Sequence, residues 1–492
     1  MKKLIYILSL FIISSCSHDF LDIYPETTLN EGNFYQSEEQ FIILANGCYI
    51  PLRDFEKNTH WVISELISDN TSFQYNNRTG EAVRGVIDQF IITAENRAYA
   101  DFWNLSYNGI NRCNKLLLEI ERPEVKWSDI GYKHRSSGEA LFLRALYYFN
   151  LVRQYGGVPL VLKPISADEA LQMDRSEETE VYNSIVSDLN AAITEFESAS
   201  NLNENGRANL YSSYALLGKV YLTLKDYSKA EAALKKVMDS NKYALLANYA
   251  DLFNPGSKDY KETIFSVQYS EINRELSNRF IFMFAPWTSA GSITMRPAIN
   301  MTSAGWNMPT TDLRNAFEEG DLRKGVSIKI WNGPDWDGVV RDIAYTGKYQ
   351  RPISAPDDRT GDNVPVLRYS DVLLMYAEAL NEQGRTGEAL AYVQQVRNRA
   401  GLTAPLSGYD QASLANLIAK ERQVEFCFEN QRWYDLKRTG KAVEVMTAHG
   451  QREKAEKDFL FSSAYQIAPY KLLAPLPAEQ ILINGLEQNP GY

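Results

Sequence analysis

Residues 214–234, YALLGKVYLTLKDYSKAEAAL, decide the fold. Tyr214, Leu217, Gly218 and Tyr221 recur at helical spacing, and Ala230 and Leu234 follow on a second helix. Small residues at Gly218 and Ala230 let the two helices approach closely, while the large ones fill the groove beside them. Residues 373–393, LLMYAEALNEQGRTGEALAYV, repeat the arrangement with Leu373, Tyr376, Ala377 and Leu380, then Ala389 and Val393. The step from Tyr221 to Ala230 equals the step from Leu380 to Ala389, as a repeated helix–turn–helix demands. Neither copy has the closing Pro, and the two lie far apart. They are divergent units within a larger helical core, not a regular array.

The pattern is that of a tetratricopeptide repeat, aromatic-x2-Leu-Gly-x2-Tyr and then Ala-x3-large. Working outward, Leu141, Ala145, Tyr148, Phe149 and Val152 predict a helix stopped by Gly156-Gly157-Val158-Pro159. Val181, Ile185, Leu189, Ile193 and Phe196 predict another, followed by a polar loop at 201–205. Between 253 and 366 helical periodicity fades. Gly, Pro, Asn and Asp rise among aromatics, and four of the eight Trp lie there: Trp287, Trp306, Trp331 and Trp336. Residues 263–269 read as a short strand. The fold class is therefore mainly α, a tetratricopeptide-like helical scaffold with a loop-rich insertion carrying a few short strands. The aromatic content of that insertion argues against disorder, and a loop region of this length is usually functional.

Composition narrows the function. The 492 residues are 45% hydrophobic and 23% charged, the balance of a globular protein with real cores. That excludes a disordered chain, a multi-span membrane protein and a disulfide-knot scaffold. A net charge of −11 without basic tracts makes nucleic acid an unsuitable partner. Four His and four Cys are few for multi-metal or redox chemistry. Tyr at 30 exceeds Phe at 21, and Tyr suits wet interfaces and ligand surfaces.

The first residues address the compartment. Lys2 and Lys3 precede an apolar run at 4–13, too short to span a bilayer as a mature helix but right for a signal peptide. It ends in Ile13-Ser14-Ser15-Cys16, which resembles a bacterial lipobox. Residues 1–15 are then a cleaved leader and Cys16 the lipidated N-terminus, held by several acyl chains. Cys48, Cys113 and Cys427 read as small buried hydrophobes, with one disulfide and one free thiol as the alternative.

Ordered stretches along the chain carry a family resemblance. They include Phe20-Leu21-Asp22 with Pro25, Phe102-Trp103, Gly138-Glu139-Ala140-Leu141-Phe142-Leu143-Arg144-Ala145 and Tyr155-Gly156-Gly157-Val158-Pro159. Further on come Leu367-Arg368-Tyr369-Ser370-Asp371, Val396-Arg397-Asn398-Arg399-Ala400-Gly401, Glu421-Arg422, Arg432-Trp433-Tyr434-Asp435-Leu436-Lys437-Arg438 and a closing Gln488-Asn489-Pro490-Gly491-Tyr492. Together they resemble the SusD/RagB family from Cys16 to Tyr492. The resemblance implies an outer-membrane, surface-exposed lipoprotein that docks lid-like on a SusC-like TonB-dependent transporter. It also implies a glycan ligand or, in some members, a peptide. The expected organisation is a leader at 1–15, an N-terminal helical region at 16–252, and a C-terminal region at 253–492 with the insertion at 253–366 and helices at 367–440.

Candidate ligand residues are exposed aromatics beside polar side chains. A flat ring packs on the C–H face of a sugar, and neighbouring amides, carboxylates or guanidinium groups take its hydroxyls. The loop at 69–78 offers Phe73, Tyr75, Asn76 and Arg78; the insertion offers Trp287, Arg296, Trp306, Asn307, Trp331 and Trp336. Trp103 and Trp433 are assigned to the core. Glu421, Glu425 and Glu429 line one helical face near Arg422 and Arg432, which reads as an ion-pair network bracing helices rather than a glycosidase pair. Arg144 and Glu139 are likewise structural. No Gly-x-Ser-x-Gly, phosphate loop or His-Glu-x-x-His motif occurs, and His18, His60, His134 and His449 share none. Asp335-x-Asp337-Gly338 and Asp357, Asp358 and Asp362 lack full calcium-loop spacing and read as turns. The expectation is a non-enzymatic oligosaccharide-binding lipoprotein without metal or cofactor. Peptide or glycopeptide binding is the alternative, ahead of a glycoside hydrolase or a pure assembly scaffold.

Overall fold

The computed structural model describes residues 35–76, 83–199, 206–254, 261–295, 304–350, 356 and 358–492. The leader, Cys16, His18, Arg78, the 201–205 loop, Arg296 and Asp357 lie outside the described residues. The first repeat unit is the pair Leu210–Thr223 and Tyr227–Asp239. Asn209 caps its first helix by accepting from the Tyr211 and Ser212 amides, and Asp226 caps the second through the Lys229 amide. A Cβ on Gly218 would lie 2.6 Å from Leu234 Cγ, so the glycine is the condition of their close approach. Tyr369–Glu382 and Thr386–Arg399 form the second unit, with Tyr376 and Tyr392 edge to face at 4.8 Å. The two units are neighbours in space, Tyr369–Glu382 packing against Tyr227–Asp239.

Longer helices extend the stack toward the N-terminus. Arg97–Glu119, Ile130–Tyr155 and Glu178–Glu197 follow one another, the last packing on Leu210–Thr223. Gly156, at φ +74°, ends Ile130–Tyr155 where the sequence places the stop. Ahead of them, Glu38–Phe55 carries Pro51 and runs into two π-helical turns, Glu56–His60 and Val62–Leu66. Pro51 has no amide hydrogen for the Gly47 carbonyl, which instead accepts from Arg112 at 3.4 Å.

The insertion is more ordered than a run of loops. Among the described residues six strands make antiparallel pairs: β1 (Thr71–Ser72), from the N-terminal region, with β3 (Met308–Pro309), β2 (Thr263–Val267) with β6 (Val364–Arg368), and β4 (Ile328–Pro334) with β5 (Val340–Thr346). Short helices Thr311–Ala316 and Leu322–Ser327 precede the β4–β5 hairpin. Helix also continues past 440, as Ala442–Glu456 and Ala478–Asn484. One apolar core runs through both halves, from Phe41 to Leu486, and includes Trp103 and Trp433. Cys48, Cys113 and Cys427 are buried free thiols, and Cys48 Sγ donates to the Leu44 carbonyl at 3.4 Å.

A second core is ionic. The fully buried Arg368 guanidinium donates to Glu262 at 2.8 Å, Glu425 at 3.0 Å and Glu429 at 2.8 Å. Glu425 also meets Arg323 at 3.0 Å and Arg399, Glu421 meets Arg323 at 2.6 Å, and Lys348 meets Glu429 at 2.7 Å. The three glutamates therefore brace elements, though not from one helical face: the Gln411–Glu425 helix ends at Glu425, and Glu429 lies in the turn beyond it. Arg144 and Glu139 do not pair with each other: Arg144 binds Asp188 at 2.7 Å, and Glu139 binds Arg135 and Arg207. Removing one partner of a buried pair strands the others in low dielectric. Arg368→Met is expected to lower unfolding free energy by about 3–5 kcal/mol. Gly218→Leu, which overpacks the helix contact, is expected to cost about 1–3 kcal/mol. Urea denaturation at pH 7 measures both.

Candidate ligand-binding face

The β1–β3 pair sets Thr71 opposite Pro309 and Ser72 opposite Met308, so the residues just beyond each strand meet. Gln74 is the hub. Its amide hydrogen binds the Gly305 carbonyl at 2.7 Å, and its side-chain nitrogen donates to Thr288 Oγ1 and Asp335 Oδ1, both at 2.8 Å. Its side-chain oxygen accepts from the Trp287 amide at 2.8 Å. Gly305 sits at φ +67°, and a Cβ there would lie 2.8 Å from Gln74 Cβ. The Trp287 indole N–H binds the Tyr75 carbonyl at 2.9 Å.

This frame holds a ring cluster. Tyr75 stacks on Phe459 at 4.3 Å and meets Trp336 edge-on at 5.0 Å; Phe73 touches Phe459 at 6.0 Å and Trp306 at 5.5 Å. Trp336 is 39% exposed at the tip of the β4–β5 hairpin. There Asp335 Oδ1 accepts the Trp336 amide at 2.8 Å, and Arg341 clamps Asp335 at 2.9 Å and Asp337 at 2.6 Å. These aspartates thus form an arginine-braced turn. Beside the rings lies a groove of about 190 Å³ lined by Gln74, Thr311, Arg314, Asp342, Glu456 and Lys457, among others.

The candidates divide by burial. Phe73, Trp306 and Asn307 are buried, Tyr75, Asn76 and Trp287 half-buried, and Trp336 exposed. Trp331, half-buried, lies on β4 opposite Ile343 with its ring over Gly333. Sequence reasoning missed Phe459 and gave Gln74 no role. Phe459 follows the Ala442–Glu456 helix in a segment without periodicity, and a single glutamine in a polar loop announces nothing.

The scaffold grips the face from below. Asp69 is held by Arg432 at 2.7 Å, and its carbonyl accepts from Thr310 Oγ1 at 2.6 Å. The Glu65 carboxylate accepts from Asn70 Nδ2 at 2.9 Å and from the Phe428 and Asn430 amides at 2.8 and 3.1 Å. Burial pushes Glu65 up to about 7. Asp88, which accepts from Ser72 Oγ at 3.1 Å and Tyr465 Oη at 3.3 Å, is also pushed up to about 7, chiefly by burial and against the pull of Lys457. Of the remaining histidines, His60 pairs with Glu56 at 2.9 Å and His134 with Glu195 at 2.8 Å. His449 pairs with Asp312 at 2.7 Å, which raises it despite burial. Among the described residues no group of three or more His, Cys, Asp or Glu is placed to hold a metal ion, and no helix is long and apolar enough to cross a membrane.

A stack of helix pairs supporting a loop-borne aromatic face beside a polar groove defines a helical-repeat binding scaffold. The chain belongs to the SusD family, which matches residues 235–492, while residues 19–222 match a SusD-like family described as starch-binding and associating with the outer membrane. A SusD-like protein of Formosa agariphila is 27% identical over 477 residues, covering 89% of this chain and 91% of the relative. A solved laminarin-binding SusD-like protein is 27% identical with a TM-score of 0.77, over 93% of this chain and 100% of its own. Surface glycan-binding protein A from Bacteroides thetaiotaomicron, in complex with laminarihexaose, shares the fold at 20% identity, with a TM-score of 0.75 over 92% and 99% of the two chains.

The carboxyls with raised values set a pH dependence. Asp88 and Glu65 contribute stability that is full below the unfolded carboxyl range and is lost as pH rises through about 7. His449 acts in the same direction, being raised above 6.5. Asp371, Asp435, Glu425 and Glu318 are lowered by arginine or lysine partners, so their stability is lost only in acid below their unfolded values. The thermal midpoint is expected to rise between pH 8 and 5.5, and Asp88→Asn to flatten that rise. Differential scanning fluorimetry across the range checks it.

Proposed function

We propose that this chain is a lipid-anchored cell-surface protein that captures an oligosaccharide and passes it to a SusC-like TonB-dependent outer-membrane transporter, without catalysing a reaction itself. The observation that carries this reading is the Tyr75–Phe459–Trp336 cluster, half-open to solvent and bordered by a groove of amide, carboxylate and cationic side chains. Rings take the C–H face of a sugar; the groove supplies donors and acceptors for its hydroxyls. The starch- and laminarin-binding relatives support a glycan over a peptide. That the acid-rich helix Gln411–Glu425 commits its glutamates to buried arginines supports binding without hydrolysis.

In this reading residues 1–15 are cleaved, Cys16 carries the acyl chains, the 16–252 region is mainly scaffold, and the insertion at 253–366 supplies much of the face. Affinity electrophoresis of residues 17–492 through laminarin, starch and other polysaccharides tests the capture step. One gel is expected to retard the protein, and Trp336→Ala or Tyr75→Ala to weaken binding about tenfold or more. Retardation by no polysaccharide, with binding to peptides, overturns the glycan. For the anchor, Cys16→Ala is expected to abolish fatty-acid labelling and membrane retention; unchanged retention overturns it.

A further inference from the structure

Among the described residues, Arg84 is a half-buried cation without a matching carboxylate beside the candidate ligand face. Its guanidinium carbon lies 5.4 Å from the Trp61 ring centroid and 5.7 Å from that of Trp306, so the half-buried group sits between two indoles. Arg144, Arg422 and Arg432, by contrast, are answered by Asp188, Asp371 and Asp69. Arg153 and Arg175, which lack a carboxylate, donate to the Phe149 and Gly157 carbonyls. Among the described residues, the Arg84 side chain has no ion pair and no hydrogen bond; burial alone acts on it and lowers its pKa.

Two nearby indole-bearing segments carry further polar groups. Asn307, which follows Trp306 in the chain, is 1% exposed, and among the described residues neither its side-chain nitrogen nor its oxygen has a partner. The Trp61 indole N–H is also buried without one. Asn307 stands at φ +53°, a conformation that costs a non-glycine residue and persists where the surroundings impose it. Trp306 in turn touches Phe73, so the Arg84 site is continuous with the ring cluster.

We propose that Arg84 marks a subsite for an oxyanion borne on the glycan, the carboxylate of a uronic acid or a sulfate ester. This rests on the glycan reading and deepens it to an anionic ligand. An Arg fork can grip either oxyanion with two parallel hydrogen bonds, recovering the desolvation cost that a neutral hydroxyl recovers only in part. Both indoles lie within cation–π distance of the guanidinium, an attraction that leaves its N–H donors uncommitted.

The test is affinity electrophoresis of residues 17–492 through polygalacturonate, a sulfated galactan and laminarin, at low and high salt. Wild-type protein is expected to be retarded by one of the two anionic polymers, which names the source of the charge. Arg84→Gln is expected to weaken that binding tenfold or more, and Arg84→Lys to weaken it less, since it keeps the charge without the fork. Salt is expected to weaken anionic binding in the wild type and to have little effect in Arg84→Gln. Retardation by laminarin alone overturns the proposal and keeps the glycan reading. So does equal loss of laminarin and anionic binding in Arg84→Gln, which makes Arg84 a brace for the indoles. Retardation by none of these or the wider polysaccharide set overturns the glycan reading and the subsite together. Should Arg84→Gln fail to fold, the wild-type salt response and the Arg84→Lys ratio still decide the outcome.

Discussion

The buried guanidinium of Arg368 is where the architecture closes. It ends β6 immediately before the second repeat unit, and it faces glutamates from the β2 approach and from the end of the Gln411–Glu425 helix and the turn beyond it. Its charge would be prohibitive inside a protein if any partner were misplaced, so the network tolerates one arrangement of these segments. Two non-glycine residues in that turn, Phe428 and Asn430, adopt φ of +65° and +63°. Their amides point to Glu65, whose carboxylate also holds Asn70. A chain of charged and hydrogen-bonded contacts therefore runs from the repeat core to the loop bearing Phe73 and Tyr75.

Above that base, the ligand face is assembled from three distant segments by very few polar contacts. The Gln74 amide joins the 287–288 turn, the Gly305 strand approach and the β4–β5 hairpin. Aromatic contacts then set the ring angles. Rigid rings at a fixed spacing suit a ligand with repeating flat faces, because little side-chain entropy is lost when it binds.

Much of the scaffold was legible in the sequence because helical packing writes itself locally. Gly218 against Leu234, and Tyr376 against Tyr392, are contacts between residues close along the chain, within helix pairs that the spacing shows. The ion-pairing role of Glu421, Glu425 and Glu429 was also readable from carboxylates beside arginines, but their single helical face was not: the helix stops at Glu425, and Glu429 meets Arg368 from the turn beyond. The face was only partly legible. Tyr75 and Trp336 were expected as candidates on chemistry and do lie together, but the Phe459 that joins them comes from a distant segment and no periodicity links the three. Phe73 and Trp306 have the same composition signal yet are buried, because aromatic residues that meet ligand and those that support them look alike in sequence. Arg144 and Glu139, one turn and a half apart, suggested companionship, whereas tertiary packing gave each a partner on another segment.

The two π-helical turns at Glu56–His60 and Val62–Leu66 carry a constraint on how this family member can change. Each wide turn accommodates roughly one residue more than an α-helical path would, and a residue turns an α-helix by about 100°. Between them they aim Glu56 at Asn430 and His60, and Glu65 at the Phe428 and Asn430 amides. Losing one residue from 56–66 would restore a smoother helix and swing those carboxylates off their targets. Residue count in this short segment is therefore held by the carboxylate contacts it serves, a constraint that side-chain substitution on the candidate face does not meet.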